Sequence, residues 1–167
     1  MRIAAKQSIL RACAIAAGLT VTAGAGQDPR QRVTPGEVKW PTSGSSGSLT
    51  GTSGAAGIQT VTLKGDPTKP GLYTILLRVG PNTKIAAHSH PDDRVATVVS
   101  GTWYFGYGRE YDEKALKELP QGSFYTEPPS VNHFAKTGQD GVVIQINGYG
   151  PSGTTYVDPR NDPAKRP

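Results

Sequence analysis

The chain is 167 residues long, close to the size of one average domain, which leaves no room for two cores of independent size. Its 21 glycines and 14 prolines exclude a helical bundle, whose helix interiors tolerate neither residue. Lys and Arg number 18 against 13 Asp and Glu, a formal charge of +5, which taken alone points to an anionic partner. The single cysteine, Cys13, excludes an intrachain disulfide, a paired-cysteine zinc site and dithiol redox chemistry.

Residues 1–25 hold Arg2, Lys6 and Arg11, no acid, and then a small apolar run with Ala23, Gly24 and Ala25 ahead of Gln27. This is the pattern of a secretory signal peptide, and an apolar run of about ten residues is half of what spans a bilayer. Arg11, and an apolar run that follows Cys13 instead of preceding it, argue against lipidation there. The expected mature protein is periplasmic or secreted, with no membrane association after cleavage. It keeps 15 basic against 13 acidic residues, so most of the basic excess leaves with the signal. The remaining Lys and Arg are scattered, and no nucleic-acid partner is expected.

Residues 26–57 read as a flexible N-terminal segment, since Thr42 to Gly57 is low in complexity and lacks both charge and an apolar face. From Ile58 to Val157, short runs rich in β-branched and aromatic residues alternate with Gly, Pro, Asn and Asp. That rhythm predicts an all-β sandwich or closed antiparallel barrel over 58–157. One stretch, Asp112 to Leu119, has helical character, with Asp112 as N-cap and Ala115, Leu116 and Leu119 on one side. It predicts one short helix inserted between strands. Residues 158–167 read as a polar C-terminal tail.

The chain has three histidines. His88 and His90 flank Ser89 at the end of a predicted strand, and alternation by two puts both imidazoles on one face, as two ligands of one metal ion require. His133 follows a Pro-Pro turn in a later strand and can reach the same interior from across a barrel. The bland alternative is two surface histidines on a strand end and one satisfied core histidine. No Gly-x-Ser-x-Gly elbow and no Gly-Lys-Ser/Thr phosphate loop is present.

The stretch from Gly80 through His88, His90 and Pro91 to Gly101, with the second set Gly122, Pro128 and His133, resembles the paired motifs of the cupin superfamily. The chain from Ile58 to Val157 is similar to small secreted bacterial cupins that open on a GDPTKPG-like turn and end on a Gly-Pro-x-Gly-x-Thr-Tyr-Val segment. The resemblance implies an antiparallel jelly-roll β-barrel holding a divalent metal ion (iron, manganese, nickel, copper or zinc) on His88, His90 and His133. It also implies pairing of barrels as a homodimer.

Three positions depart from the pattern: Arg94 stands where the resemblance implies a glutamate ligand, Ser130 where it implies glycine, and Thr137 where it implies asparagine. A guanidinium facing a cation in a poorly solvated cavity is repelled by it. Arg94 is therefore expected to turn to Asp92 or Asp93, or to stand further out and hold an anionic group of a ligand. Arg94, Tyr125 and Glu127 are the catalytic candidates. Tyr104 and Tyr107 are weaker ones, and Trp103 and Phe105 are expected to be core. Gln145 either meets a ligand or faces solvent. Two functions follow: a metal-dependent enzyme acting on a small organic molecule, by dioxygenase-like or isomerase/lyase-like chemistry, or a non-catalytic barrel that binds a sugar or phenolic. Loss of the metal despite retained histidines is a third outcome.

Overall fold

The structure, a computed structural model, describes residues 30–41 and 51–165. Residues 1–29, which include the expected signal peptide and Cys13, and positions 42–50 and 166–167 lie outside the described residues. Among the described residues the unit from Thr34 onward has ten strands, and no helix is long and apolar enough to cross a membrane. The strands are β1 (Ile58–Lys64), β2 (Gly71–Val79), β3 (Lys84–Ser89), β4 (Arg94–Ser100), β5 (Thr102–Tyr107), β6 (Lys117–Pro120), β7 (Phe124–Glu127), β8 (His133–Thr137), β9 (Val142–Gly150) and β10 (Thr155–Tyr156). They form two five-stranded sheets, in the orders β1-β2-β9-β4-β7 and β10-β3-β8-β5-β6, paired antiparallel throughout.

Period-two alternation builds the interior. Tyr73, Ile75, Leu77 and Val79 of β2 and Val142, Ile144 and Ile146 of β9 are buried, as are Ala96 and Val98 of β4 and Trp103 and Phe105 of β5. Arg94 continues the inward row of β4 and His133 that of β8. Both sheets thus place polar side chains at one end of an otherwise apolar core. A second buried polar group lies beside it: Asp92 accepts from Tyr73 Oη at 2.6 Å and from Ser152 Oγ at 2.7 Å.

The predicted helix over Asp112–Leu119 is shorter than expected. Asp112 does act as the N-cap, accepting from the Lys114 amide at 2.9 Å, but only Glu113–Ala115 winds, as one 3-10 turn. The chain then extends into β6, whose Lys117–Pro120 pair with β5. Leu119 is drawn into the core next to Trp103, and burial in a sheet outweighs a weak local helix preference. The low-complexity segment also differs from expectation at its end. Residues 51–57 pack onto the barrel, with Thr52 and Ser53 buried. Trp40 lies under the Arg78 guanidinium, 4.0 Å from ring centroid to Cζ.

Gly101 carries the chain from β4 in one sheet to β5 in the other. Its φ of +80° is a conformation that glycine adopts without strain, and a Cβ there would sit 2.3 Å from the Gly141 carbonyl oxygen. Gly101→Ala is therefore expected to lower the unfolding free energy by about 1–3 kcal/mol, measured by urea denaturation, with an unchanged midpoint counting against this account of the turn.

Candidate metal centre

His88 lies near the end of β3 and His133 at the start of β8, as cross-strand partners. Strict alternation from Ile85 would aim His88 outward, but the register shifts between Ile85 and His88. Such a bulge changes which face a side chain takes, and Ile85, His88 and His90 all end on the cavity wall. His90 follows one residue beyond the strand. The three ring centroids lie 4.4, 5.0 and 5.2 Å apart, and one ring nitrogen of each falls within 4.8 Å of the others. The sequence expectation that all three histidines converge holds.

Each imidazole is locked by its other nitrogen. Nδ1 of His88 meets the Ala86 carbonyl at 2.8 Å, Nδ1 of His90 the Gly153 carbonyl at 2.6 Å, and Nδ1 of His133 the Val131 carbonyl at 3.1 Å. A carbonyl oxygen only accepts, so Nδ1 carries the proton and Nε2 keeps its lone pair. Nε2 of His90 and of His133 are buried without a hydrogen-bond partner. Buried polar atoms are rarely left so, and an inward lone pair with no donor opposite it fits a divalent cation. Burial holds the rings neutral, pushing His88 down to about 3 and His90 to about 2, and His133 likewise down. Fixed tautomer, neutral state and convergence together make a three-imidazole donor set.

The departures are resolved by partners distant in sequence. Arg94 turns neither to Asp92 nor to Asp93. It is the cross-strand partner of Glu127 on β7, donating from Nε to Oε2 at 2.7 Å and also from Nη2, while Nη1 donates to the Gly51 carbonyl. Glu127 Oε2 in turn lies 3.7 Å from Nε2 of His90 and 3.8 Å from Nε2 of His133. The carboxylate missing from position 94 on β4 is thus supplied to the histidine cluster from β7, with Arg94 as its counter-ion. Burial raises the Glu127 carboxyl, but the Arg94 guanidinium more than offsets this and brings it to about 2. Ser130 has φ +62°, the left-handed backbone a glycine would take, and its amide donates to the His90 carbonyl at 2.8 Å. Thr137 Oγ1 donates to the Gly80 carbonyl at 2.7 Å and accepts from the Thr83 amide at 2.9 Å, tying down the turn before β3.

Of the remaining candidates, Tyr125 lines the same cavity. Burial and the neighbouring Glu127 charge push its phenol well above 10, so the hydroxyl stays protonated. Trp103 and Phe105 also form cavity wall. Tyr104 is half-buried on the outer face of β5, and Tyr107 is exposed with its hydroxyl on the Thr126 carbonyl. Gln145 lies between the inward Ile144 and Ile146 and points to the other face. Thr52 and Ser53 also line the cavity and carry no signal in the sequence, because nothing local marks a serine-threonine segment as the wall of a site.

No protein-family model matches the chain, and no curated protein is similar to it in sequence. Solved structures are. A salicylate 1,2-dioxygenase from Pseudoaminobacter salicylatoxidans with gentisate adducts superposes with a TM-score of 0.50 at 16% identity, over 60% of this chain and 29% of that one. A structure of DMSP lyases superposes with a TM-score of 0.50 at 20% identity, over 68% of this chain and 57% of that one. KdgF from Halomonas sp. gives 0.49 at 18% identity, over 70% of this chain and 91% of that one. The chain therefore spans under a third of the dioxygenase and somewhat over half of the lyase. At these identities the likeness is one of fold, the antiparallel two-sheet β-barrel described above.

Two outcomes are expected. The unfolded chain protonates its imidazoles near 6.5, whereas in the folded state His88 and His90 hold out to about 3 and 2. Unfolding thus takes up protons below pH 6.5, and stability falls as pH drops towards 3, by up to about 1.4 kcal/mol per pH unit for each imidazole. Denaturant midpoints of the metal-free protein from pH 8 to pH 4 measure this, and a flat profile contradicts it. Glu127→Gln strands a buried guanidinium and is expected to cost about 3–5 kcal/mol in the same measurement.

Proposed function

We propose that this protein is a metal-dependent enzyme acting on a small organic molecule, with His88, His90 and His133 as the metal ligands. The observation that carries the reading is the pair of buried, partnerless Nε2 lone pairs on His90 and His133, beside a third histidine whose tautomer is also fixed. A structural metal site closes its coordination shell with protein ligands, whereas three imidazoles leave positions open for water or substrate. A divalent ion on this donor set supplies Lewis-acid polarisation or, if redox-active, electron transfer to a bound molecule.

The protein residues divide the remaining work. Glu127 is held ionised by Arg94 and is too acidic to act as a general base near neutral pH; it acts as fixed negative charge beside two of the ligands. Tyr125 offers a protonated hydroxyl as hydrogen-bond or proton donor. Ile144, Ile146 and Phe105 keep the cavity apolar on its inner side, which strengthens the electrostatic interactions within it. The solved structures that share this fold are described as a dioxygenase and as lyases, in keeping with the two reaction types proposed. In a chain whose first 25 residues read as an export signal, the reaction would take place in the periplasm or outside the cell.

Protein purified without chelator is expected to bind one divalent ion per chain, and His88→Ala to lose it. Ion at 100 times its Kd raises wild-type stability by about 2.7 kcal/mol and leaves His88→Ala unchanged, as read by thermal unfolding with and without metal. Oxygen uptake by the iron-loaded protein across phenols, diketones and thiols then separates an oxygenase from an isomerase or lyase. Absence of bound metal, with the thermal midpoint unmoved by iron, manganese, nickel, copper or zinc, would leave the ligand-binding barrel in its place.

A further inference from the structure

The cavity in front of the three histidines is about 30 Å³, room for one water molecule or ion and for no organic molecule. A substrate therefore enters only if part of the wall moves. Of the residues lining the cavity, Thr52, Ser53 and His90 alone lie outside the strands, and His90 is tied to Gly153. The movable wall is the strap of residues 51–53, which no sheet pairing holds.

Three side chains grip this strap, each by a successive backbone carbonyl: Arg94 from the cavity wall, and Thr154 and Tyr156 from the segment after β9. Arg94 Nη1 donates to Gly51 O, Thr154 Oγ1 to Thr52 O at 2.8 Å, and Tyr156 Oη to Ser53 O at 2.5 Å. The guanidinium and the two hydroxyls each hold one carbonyl oxygen, the kind of acceptor an oxyanion also offers, and a guanidinium matches a carboxylate best. The charge balance points the same way. Arg94 offsets Glu127, the histidines are neutral and Asp92 is the one further buried carboxylate beside them among the described residues, so a divalent ion still leaves net positive charge, which favours an anionic ligand. The Gly-Pro-x-Gly-x-Thr-Tyr-Val ending, read in the sequence only as part of a resemblance, contributes two of the three donors.

We propose that residues 51–53 are an internal placeholder whose carbonyl oxygens occupy the seat of the substrate, and that the substrate is a small carboxylate that displaces the strap to reach Arg94, Thr154 and Tyr156. This rests on the metal-centre reading for the charge argument and not for the donor set. Ligand and strap then compete for one site, so whatever loosens the strap tightens ligand binding.

Gly51 allows the strap to be loosened without removing a donor, since its added Cβ would meet Arg94 Nη1 only at an ordinary contact distance of 3.7 Å. It has φ +89°, and a Cβ there would lie 2.6 Å from Ser152 Oγ and 2.9 Å from Ser152 Cβ. Benzoate and acetate, with benzamide as the uncharged counterpart of benzoate, are titrated calorimetrically into zinc-loaded wild-type protein and Gly51→Ala, and amide hydrogen exchange of residues 51–57 is followed with and without benzoate. Benzoate and acetate are expected to bind and benzamide not to. Benzoate is expected to speed exchange of residues 51–57 in the wild type, and Gly51→Ala to bind benzoate about fivefold to tenfold more tightly. The wild-type exchange measurement stands even if Gly51→Ala does not fold. Benzoate that binds while exchange at 51–57 is unchanged or slowed, a folded Gly51→Ala with unaltered or weaker affinity, or no carboxylate binding into the millimolar range overturns the proposal. Zinc stoichiometry is measured on the same samples. A protein that binds one zinc and fails these tests loses the placeholder and keeps the metal centre. One that binds no zinc loses the metal centre, and the placeholder is then judged by the same titrations on metal-free protein.

Discussion

A carboxylate and a guanidinium removed from water on neighbouring strands hold the polar end of this barrel together. Glu127 on β7 and Arg94 on β4 are cross-strand partners and both are buried. Neither charge is tolerable there alone, whereas paired they cancel. The pair also reaches outward from both members. Glu127 faces two histidines of the opposite sheet, and Arg94 grips the strap through Gly51. Edge strand, facing sheet and covering segment therefore meet in one electrostatic unit.

The same burial sets the state of the histidines. Their Nδ1 atoms are satisfied by three backbone carbonyls, from Ala86, Val131 and Gly153, with Thr154 Oγ1 also 3.3 Å from that of His90. With desolvation keeping the rings neutral, the lone pairs are presented without the charge that would make three neighbouring imidazoles repel. The apolar core beneath and the polar cluster at the end are thus linked, since the core's exclusion of water keeps the imidazoles neutral.

The segment after β9 is occupied along most of its length. Ser152 holds Asp92, Gly153 orients His90, and Thr154 and Tyr156 hold the strap. Only Thr155 and Tyr156 of this stretch form a strand, paired with Ser89 and His88. That single short pairing places the last strand of the barrel directly beside β3, which carries His88, and explains how residues so late in the chain reach the histidine cluster.

From the sequence by itself came the antiparallel all-β class, the single core, the convergence of His88, His90 and His133, and the anomaly at position 94. These follow from period-two alternation, turn residues and paired motifs, all of which are local or repeat at short range. The one-turn extent of the segment after Asp112 was not legible, because its fate was decided by burial of Leu119 against β5. Nor was the partner of Arg94, because Glu127 lies 33 residues away and only sheet register sets the two side by side. The closing of the cavity by residues 51–53 was equally hidden, since glycine, serine and threonine without an apolar face read as solvated chain until side chains some hundred residues on, at Thr154 and Tyr156, are seen to hold their carbonyls. Tertiary structure alone decided which charges meet and what covers the site, because both depend on contacts between segments whose separation along the chain carries no periodic signal.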